Sequence, residues 1–473
     1  MRVWGPMWRT GVGLGVVASV GATLAVSPAA ADTMRWALTQ AYVNNPVINA
    51  QRALVRSTDE AVPQALSGYR PKINVTAAVG PQRIDTQSKA ISATTGGAVY
   101  PRTVLTTAAQ TYGATYTQTL LNGGATASRT RLAEQQVSAA RETLRNQEQT
   151  TLLAAATAYM NLIRDAATLS LQRSNVEVLQ EQLRQTRDRY DVGEVTRTDV
   201  AQAESRLAAA RATMLQAESN YTTSRSTYRQ VIGVEPGKLD PASPVDRLSP
   251  SNLQQAVLLA RSQHPAVTSQ MFTVDAAVFA VKVAESSLYP SLSAVGSVQK
   301  TTSASTTVVE GFTASALAQL TIPVYQGGSE YSLIRQAKEQ LQQQRVNLDN
   351  QRDVQQQNLV QTWGALEAAK AQVLANQQAV TAAEIALNGV REEARVGQRT
   401  TLDVLNAQQE LVNARVNLVS AQRDRVVNSY TLLAAVGGLS PTVLQLDVPI
   451  YDPVVHYHQV RDTWAGVRTP DGK

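Results

Sequence analysis

The chain has 473 residues, 43% of them apolar, 17% charged and 5% aromatic, with 26 glycines, 18 prolines and no cysteine. That apolar share excludes global disorder, and the missing thiol excludes a disulfide framework, a Cys-type zinc site, a thiol nucleophile and a lipid-modified N-terminal cysteine. The 43 basic residues include Arg2 and Arg9; without these two, 41 face 37 acidic ones, a balance of +4 that is too small and too dispersed for a nucleic-acid reader.

In chain order, Arg2 and Arg9 precede an apolar, small-residue run from Gly11 to Val26, which ends at Ala29-Ala30-Ala31 before Asp32. This pattern predicts a signal peptide over 1–31, cleaved after Ala31, because the run is shorter than the roughly 20 residues of a spanning helix. No later stretch approaches a transmembrane helix, so any membrane crossing is expected to use strands.

The rest of the chain repeats itself. Asn45-Pro46 recurs as His264-Pro265, and Tyr69-Arg70-Pro71 as Leu288-Tyr289-Pro290; further on, Gly123-Gly124 matches Gly327-Gly328, Val192-Gly193 matches Val396-Gly397, and Asp199-Val200 matches Asp403-Val404. The spacing shortens between Pro71 and Gly123, where the first copy carries a longer Ser/Thr/Gly segment around Ser88 to Tyr100. A tandem duplication with one lengthened loop follows. The copies are bounded as 32–250 and 251–439, leaving 440–473 as a tail or equatorial segment.

Ala125 to Val192 contains neither Pro nor Gly and is rich in Ala, Gln, Leu, Arg and Glu, which predicts one helix of about 100 Å; residues 328–396 repeat it. So long a rod cannot fold into a compact globule, and its charges keep it in water against other helices. Gly193 and Gly397 suit the hairpin-tip turns, and Thr196 with Asp199 and Thr400 with Asp403 form capping patterns that start returning helices over 196–233 and 400–437. Helices of similar length are expected over 33–68 and 251–288.

Alternating apolar and Ser/Thr residues predict strands at about 71–80, 111–120, 291–299 and 313–323, each long enough to cross a bilayer when tilted. Two ordinary hairpins on a soluble domain are the alternative, weakened by the absence of any sequence to cover a second sheet face. Four strands cannot close a barrel, and lipid tolerates no open edge, so closure calls for several copies of the chain. The histidines after residue 31 are His264, His456 and His458, too few for a hydrolytic constellation; His456-x-His458 lacks a third metal ligand and reads as an exposed tail.

Taken together, Tyr-Arg-Pro and Leu-Tyr-Pro at the strand starts, Ile322-Pro323-Val324-Tyr325-Gln326-Gly327-Gly328, Tyr190-Asp191-Val192-Gly193 and the run Val396 to Leu405 resemble the TolC family of outer-membrane export ducts over nearly the whole chain after residue 31. The resemblance implies a mainly helical fold with membrane β-structure: a homotrimer pooling four strands per chain into a 12-stranded barrel over an α-helical periplasmic tunnel. It implies a passive duct rather than an enzyme, without cofactor, set in outer-membrane lipid and recruited by a periplasmic adaptor (membrane fusion) protein and an inner-membrane transporter of efflux or ABC type. A periplasmic adaptor is the structural rival, but one hairpin beside a lipoyl-like domain is its usual plan. The tail from Tyr451 is similar to the extension of alphaproteobacterial members. Carried onto this chain, the family's closed entrance implies a ring from Asp403 and Asn406, and a latch in which Arg399 bonds to Thr198 or Asp199. Asn406 stands where an acid is common and Ala394 where a latch tyrosine is common. For Asp199, plain helix capping is the favoured alternative; for Asp403, capping and a lumenal role are compatible.

Overall fold

The computed structural model describes residues 32–302 and 309–470; the expected signal peptide lies outside them. The first copy opens with α1 (Met34–Asn44), α2 (Pro46–Asp59) and α3 (Ala61–Leu66), followed by β1 (Lys72–Gln87), a small ribbon of β2 (Ala90–Ile91) and β3 (Ala98–Val99), and β4 (Arg102–Asn122). Then come the rod α4 (Ala125–Asp191) and its return α5 (Arg197–Ile232). The second copy supplies α6 (Leu253–Gln263), α7 (Pro265–Glu285), β5 (Ser291–Thr302), β6 (Glu310–Thr321), the rod α8 (Ser329–Arg395) and its return α9 (Thr401–Val436), and the tail adds α10 (Pro453–Val460).

Each helix expected before a strand pair is broken rather than continuous. Pro46 and Pro265 cannot donate a backbone N–H, so each starts a new helix after an extended residue whose side chain caps it. Asn45 Oδ1 accepts from the Val47 N–H at 2.8 Å, and His264 Nδ1 accepts from the Ala266 N–H at 3.2 Å. The hydropathy expectation also needs correction, since Leu253–Leu288 is apolar enough over an 18-residue window to pass as a membrane helix. The break at His264-Pro265 divides it, and α7 lies along α4 and α8.

The strands β1, β4, β5 and β6 form one antiparallel sheet in that order, so the β4–β5 pairing joins the two copies. They are longer than expected in the first copy, because Thr- and Gln-rich flanks also pair, down to Gln87↔Arg102. The register aligns Ile73 with Tyr116, Ala114 with Val298, and Val298 with Ala314 on one face. Asn74, Thr115, Ser297 and Ser315 share the other. One face is thus apolar and the other polar, as a lipid-facing barrel wall requires. Among the described residues β1 and β6 have one neighbour each.

Sheet and rod meet at a two-glycine elbow. Gly123 and Gly124 take φ of +59° and +79°, and a Cβ on Gly123 would stand 2.6 Å from that of Tyr289. Positive φ and the close approach together demand glycine there.

The main core lies at mid-height of the rods, where Leu38, Tyr42, Leu152, Tyr159, Tyr228, Ile232 and Leu433 are nearly inaccessible. The connector and tail wrap this level: the Tyr159 hydroxyl donates to the carbonyls of Asp32 and Asp240 at 2.6 and 2.7 Å, and Leu439 and Leu446 join the cluster. The expectation of an exposed tail fails for His456, which is 8% exposed, with Nδ1 2.9 Å from Asp59 Oδ2. Burial pushes the Asp59 carboxyl up, while His456 and Arg141 pull it down. His458 is exposed, and no cluster of three metal-ligating groups forms among the described residues.

Candidate functional site

The far ends of the two helical hairpins converge as the candidate entrance. At the first tip Gly193 has φ +82°, its N–H meets the Tyr190 carbonyl at 2.9 Å, and the Glu194 N–H meets that of Arg189 at 2.9 Å. At the second, Gly397 has φ +78°, and the N–H groups of Gly397 and Gln398 reach the carbonyls of Ala394 and Glu393 at 3.2 and 2.9 Å. These left-handed glycines satisfy the last carbonyls of each rod and reverse the chain.

Both returning helices then start with a reciprocal cap. Asp199 Oδ2 accepts from the Thr196 N–H at 2.9 Å and hydroxyl at 2.7 Å; Asp403 Oδ2 accepts from those of Thr400 at 3.0 and 2.8 Å. The hydroxyl and then the backbone N–H of Thr196 hold the Asp199 carboxyl below its ordinary range, with a smaller pull from Arg189. For Asp403 the Thr400 N–H comes first, then the hydroxyl, with Arg399 adding to them. Both acids are therefore charged at neutral pH and near a helix N-terminus that favours the charge.

The expected latch is not made within this chain. Arg399 Nε donates to Glu393 Oε2 at 2.8 Å, because the turn folds the end of α8 back beside it. Ala394 leaves no tyrosine to redirect the guanidinium. Asn406 does join the two hairpins, in a different way: Arg206 Nη2 on α5 donates to its Oδ1 at 2.7 Å. Beside it Leu405 is 2% exposed among Val176, Leu179, Leu183, Ala203 and Leu207, so the start of α9 is packed onto the first hairpin. A groove of about 540 Å³ between the hairpins is lined by Glu177, Glu181, Arg189, Arg391, Arg395 and Val404. Arg206 and Glu393 were missed from the sequence: each is one of many charges on a polar rod, and nothing in the spacing singles them out.

Comparison with known proteins agrees with this architecture. The family model described as outer membrane efflux protein matches residues 37–234 and 257–438. The outer membrane efflux protein BepC of Brucella suis, an alphaproteobacterium, is 42% identical, the alignment covering 96% of each chain. The outer membrane protein TolC of Escherichia coli is 27% identical over 66% of each. Among solved structures, the Campylobacter jejuni CmeC outer membrane channel superposes with a TM-score of 0.73 at 18% identity, covering 91% of this chain and 89% of that one, a likeness of fold. The chain belongs to the TolC family of outer membrane efflux proteins: it is a non-enzymatic efflux or secretion channel of the outer membrane with a periplasmic helical extension.

Proposed function

We propose that three copies of this chain pool their strands into one 12-stranded barrel, and that the rods continue it as a periplasmic tunnel closed near Asp403. The observation that carries the reading is the four-stranded sheet with an apolar face, a polar face and unpaired edges at β1 and β6. Such edges are not tolerated in lipid, and a neighbouring chain's β6 would satisfy β1. Family membership carries with it a trimer and efflux partners. In this reading a periplasmic adaptor engages the groove between the hairpins, and an inner-membrane transporter of efflux or ABC type drives cargo into the duct. The duct itself does no chemistry and needs no cofactor.

At the entrance Asp403 would give a ring of one carboxylate per chain, with Asn406 neutral and tied to Arg206. Such a ring attracts cations at a constriction. The test is planar-bilayer recording of the purified trimer. Wild-type channels should be cation-selective and blocked by trivalent cations, and Asp403→Ala should weaken that block at least tenfold in concentration. Equal block in both proteins would remove Asp403 from the entrance, and a conducting monomer in detergent would overturn the trimer.

A further inference from the structure

The tail after α9 has a defined course that the duct does not account for. From Leu446 in the mid-rod core it reaches Tyr451, whose N–H meets the Tyr42 hydroxyl at 3.3 Å, while the Arg52 guanidinium lies 4.5 and 5.2 Å from the Tyr42 and Tyr451 rings. Next, α10 seats His456 on Asp59 and places Tyr457 5.1 Å from the Arg141 guanidinium. Finally Arg70 Nη1 donates to the Thr463 carbonyl at 2.6 Å and its guanidinium stands 4.9 Å from the Trp464 ring. From Tyr451 on, the tail's partners ahead of β1 are thus Tyr42, Arg52, Asp59 and Arg70, in rising order. The last of them is two residues before β1 begins at Lys72.

The same contacts fix which side of the wall the tail occupies. Arg141 and Tyr159 are 18 residues apart on α4, five full turns, so they share a face. Tyr159 holds the connector, so α10 lies on the same side of α4 as the connector; in the proposed trimer that wrapped side is the exterior of the tunnel. A tail climbing that side arrives at the barrel where its lipid-facing surface starts.

What it delivers there is apolar. Trp464, over Arg70, is 71% exposed and Val467 fully exposed; Tyr69 and Ile73, which flank Arg70 in sequence at the foot of the sheet, are themselves 50% and 69% exposed. Tryptophan favours the membrane–water interface, where its ring is half-desolvated and its N–H stays wet. Arg468 follows and can meet lipid phosphate.

We propose that residues 461–470 form a membrane-interface strap, in which Trp464, fixed by Arg70, sits among the phospholipid headgroups of the periplasmic leaflet. Continuity with the lipid-facing sheet selects lipid over a protein partner. The buried His456–Asp59 clasp sets the height at which the strap emerges.

Fluorescence tests this on the full-length protein. Trp36, Trp363 and Trp464 are the tryptophans after residue 31, and the first two belong to α1 and the middle of α8, well below the sheet. Trimers of wild type and Trp464→Phe would be reconstituted in phosphatidylcholine–phosphatidylglycerol vesicles containing lipid with a headgroup nitroxide. Wild-type emission should be quenched, with about fivefold less quenching in the variant. A nitroxide at carbon 12 of the acyl chain should quench wild type less than the headgroup label does. Trp464→Phe changes an exposed ring and should leave the heat stability of the trimer unaltered. Equal quenching of wild type and variant, no quenching of either, or stronger quenching from the deep label would each overturn the proposal.

Discussion

The two rods are the same length, 67 residues each, and come from the same duplicated segment, yet α4 is an interior element and α8 a flank. On α4, 23 residues are buried, whereas on α8 seven are. The cause is position: α4 packs against α1, α2, α3, α5, α7 and α9, whereas α8 packs against α6, α7 and α9 and leaves a flank exposed. Within one chain, repetition in sequence therefore does not give equivalence in packing. Along its exposed flank α8 shows Val346, Val360 and Leu374, two heptads apart from one to the next and 56%, 47% and 65% exposed. That spacing makes a stripe that another helix can cover.

The sharpest way to break the comparison is to charge the stripe. Val360→Asp should leave the helical content of the chain intact and abolish the trimer, since a carboxylate would be buried between packed helices without a partner. Light scattering in detergent gives the mass, and circular dichroism the helicity. A trimer with unaltered heat stability would show that the open flank of α8 faces water.

A second difference between the copies lies at the proline breaks. Asn45 and His264 cap α2 and α7 in the same way, and each break receives the end of a returning helix: Gly437 has φ +89°, and a Cβ there would stand 3.0 Å from His264 Cα. The chemistry differs because only a neutral imidazole can accept through Nδ1. Burial pushes His264 down from its ordinary 6.5 to about 4, and a hydrogen bond to the Ala434 carbonyl opposes the shift. Between those values the unfolded chain holds a proton that the folded chain lacks, so stability falls as the pH drops from 6.5 to 4. At 1.36 kcal/mol per pH unit the loss reaches about 3 kcal/mol at the lower end, and the group contributes no further loss below it. His264→Asn, which copies the first repeat, should flatten that part of the pH profile while keeping the cap. Heat-inactivation half-lives of wild type and variant at pH 7.5 and 4.5 measure it; parallel losses would show that His264 is not the titrating group.

What could be read from the sequence follows from how local each signal is. The rods, the tip glycines Gly193 and Gly397 and the Thr-x-x-Asp caps are set by residues within a few positions of one another, and propensity and capping rules reach that far. The starts of β1 and β5 and the ends of β4 and β6 were legible for the same reason. Their outer ends were not, because residues such as Gln82 and Arg83 extend β1 only by pairing with β4, a contact set by register. His456 was misplaced because its partner Asp59 lies 397 positions away. The entrance divides along the same line: the caps on Asp199 and Asp403 were visible, but the partner of Arg399 depended on where the turn brought Glu393, and Asn406 meets Arg206 across two hairpins.

The smallest effect expected separates the two tips. Their caps are alike, so Thr196→Ala and Thr400→Ala should each cost about 1 kcal/mol of local stability, seen as roughly fivefold faster amide exchange in the first turns of α5 and α9. Because the capped acids are held below their ordinary range, both caps should persist as the pH falls from neutrality to about 4 and weaken below it, where protonation removes the charge that strengthens these bonds. Conductance should distinguish the variants even though exchange does not. The second tip carries Leu405 and Asn406, which fasten α9 to the first hairpin, so fraying it loosens the contact between hairpins. Among the described residues, the first turn of α5 reaches that contact through the partly buried Val200 alone, and carries no hydrogen bond to the second hairpin like that of Asn406. Thr400→Ala should therefore raise single-channel conductance more often to an open level than Thr196→Ala does. If the two variants open equally often, the tie at Asn406 does not hold the entrance closed, and the two tips work as equals.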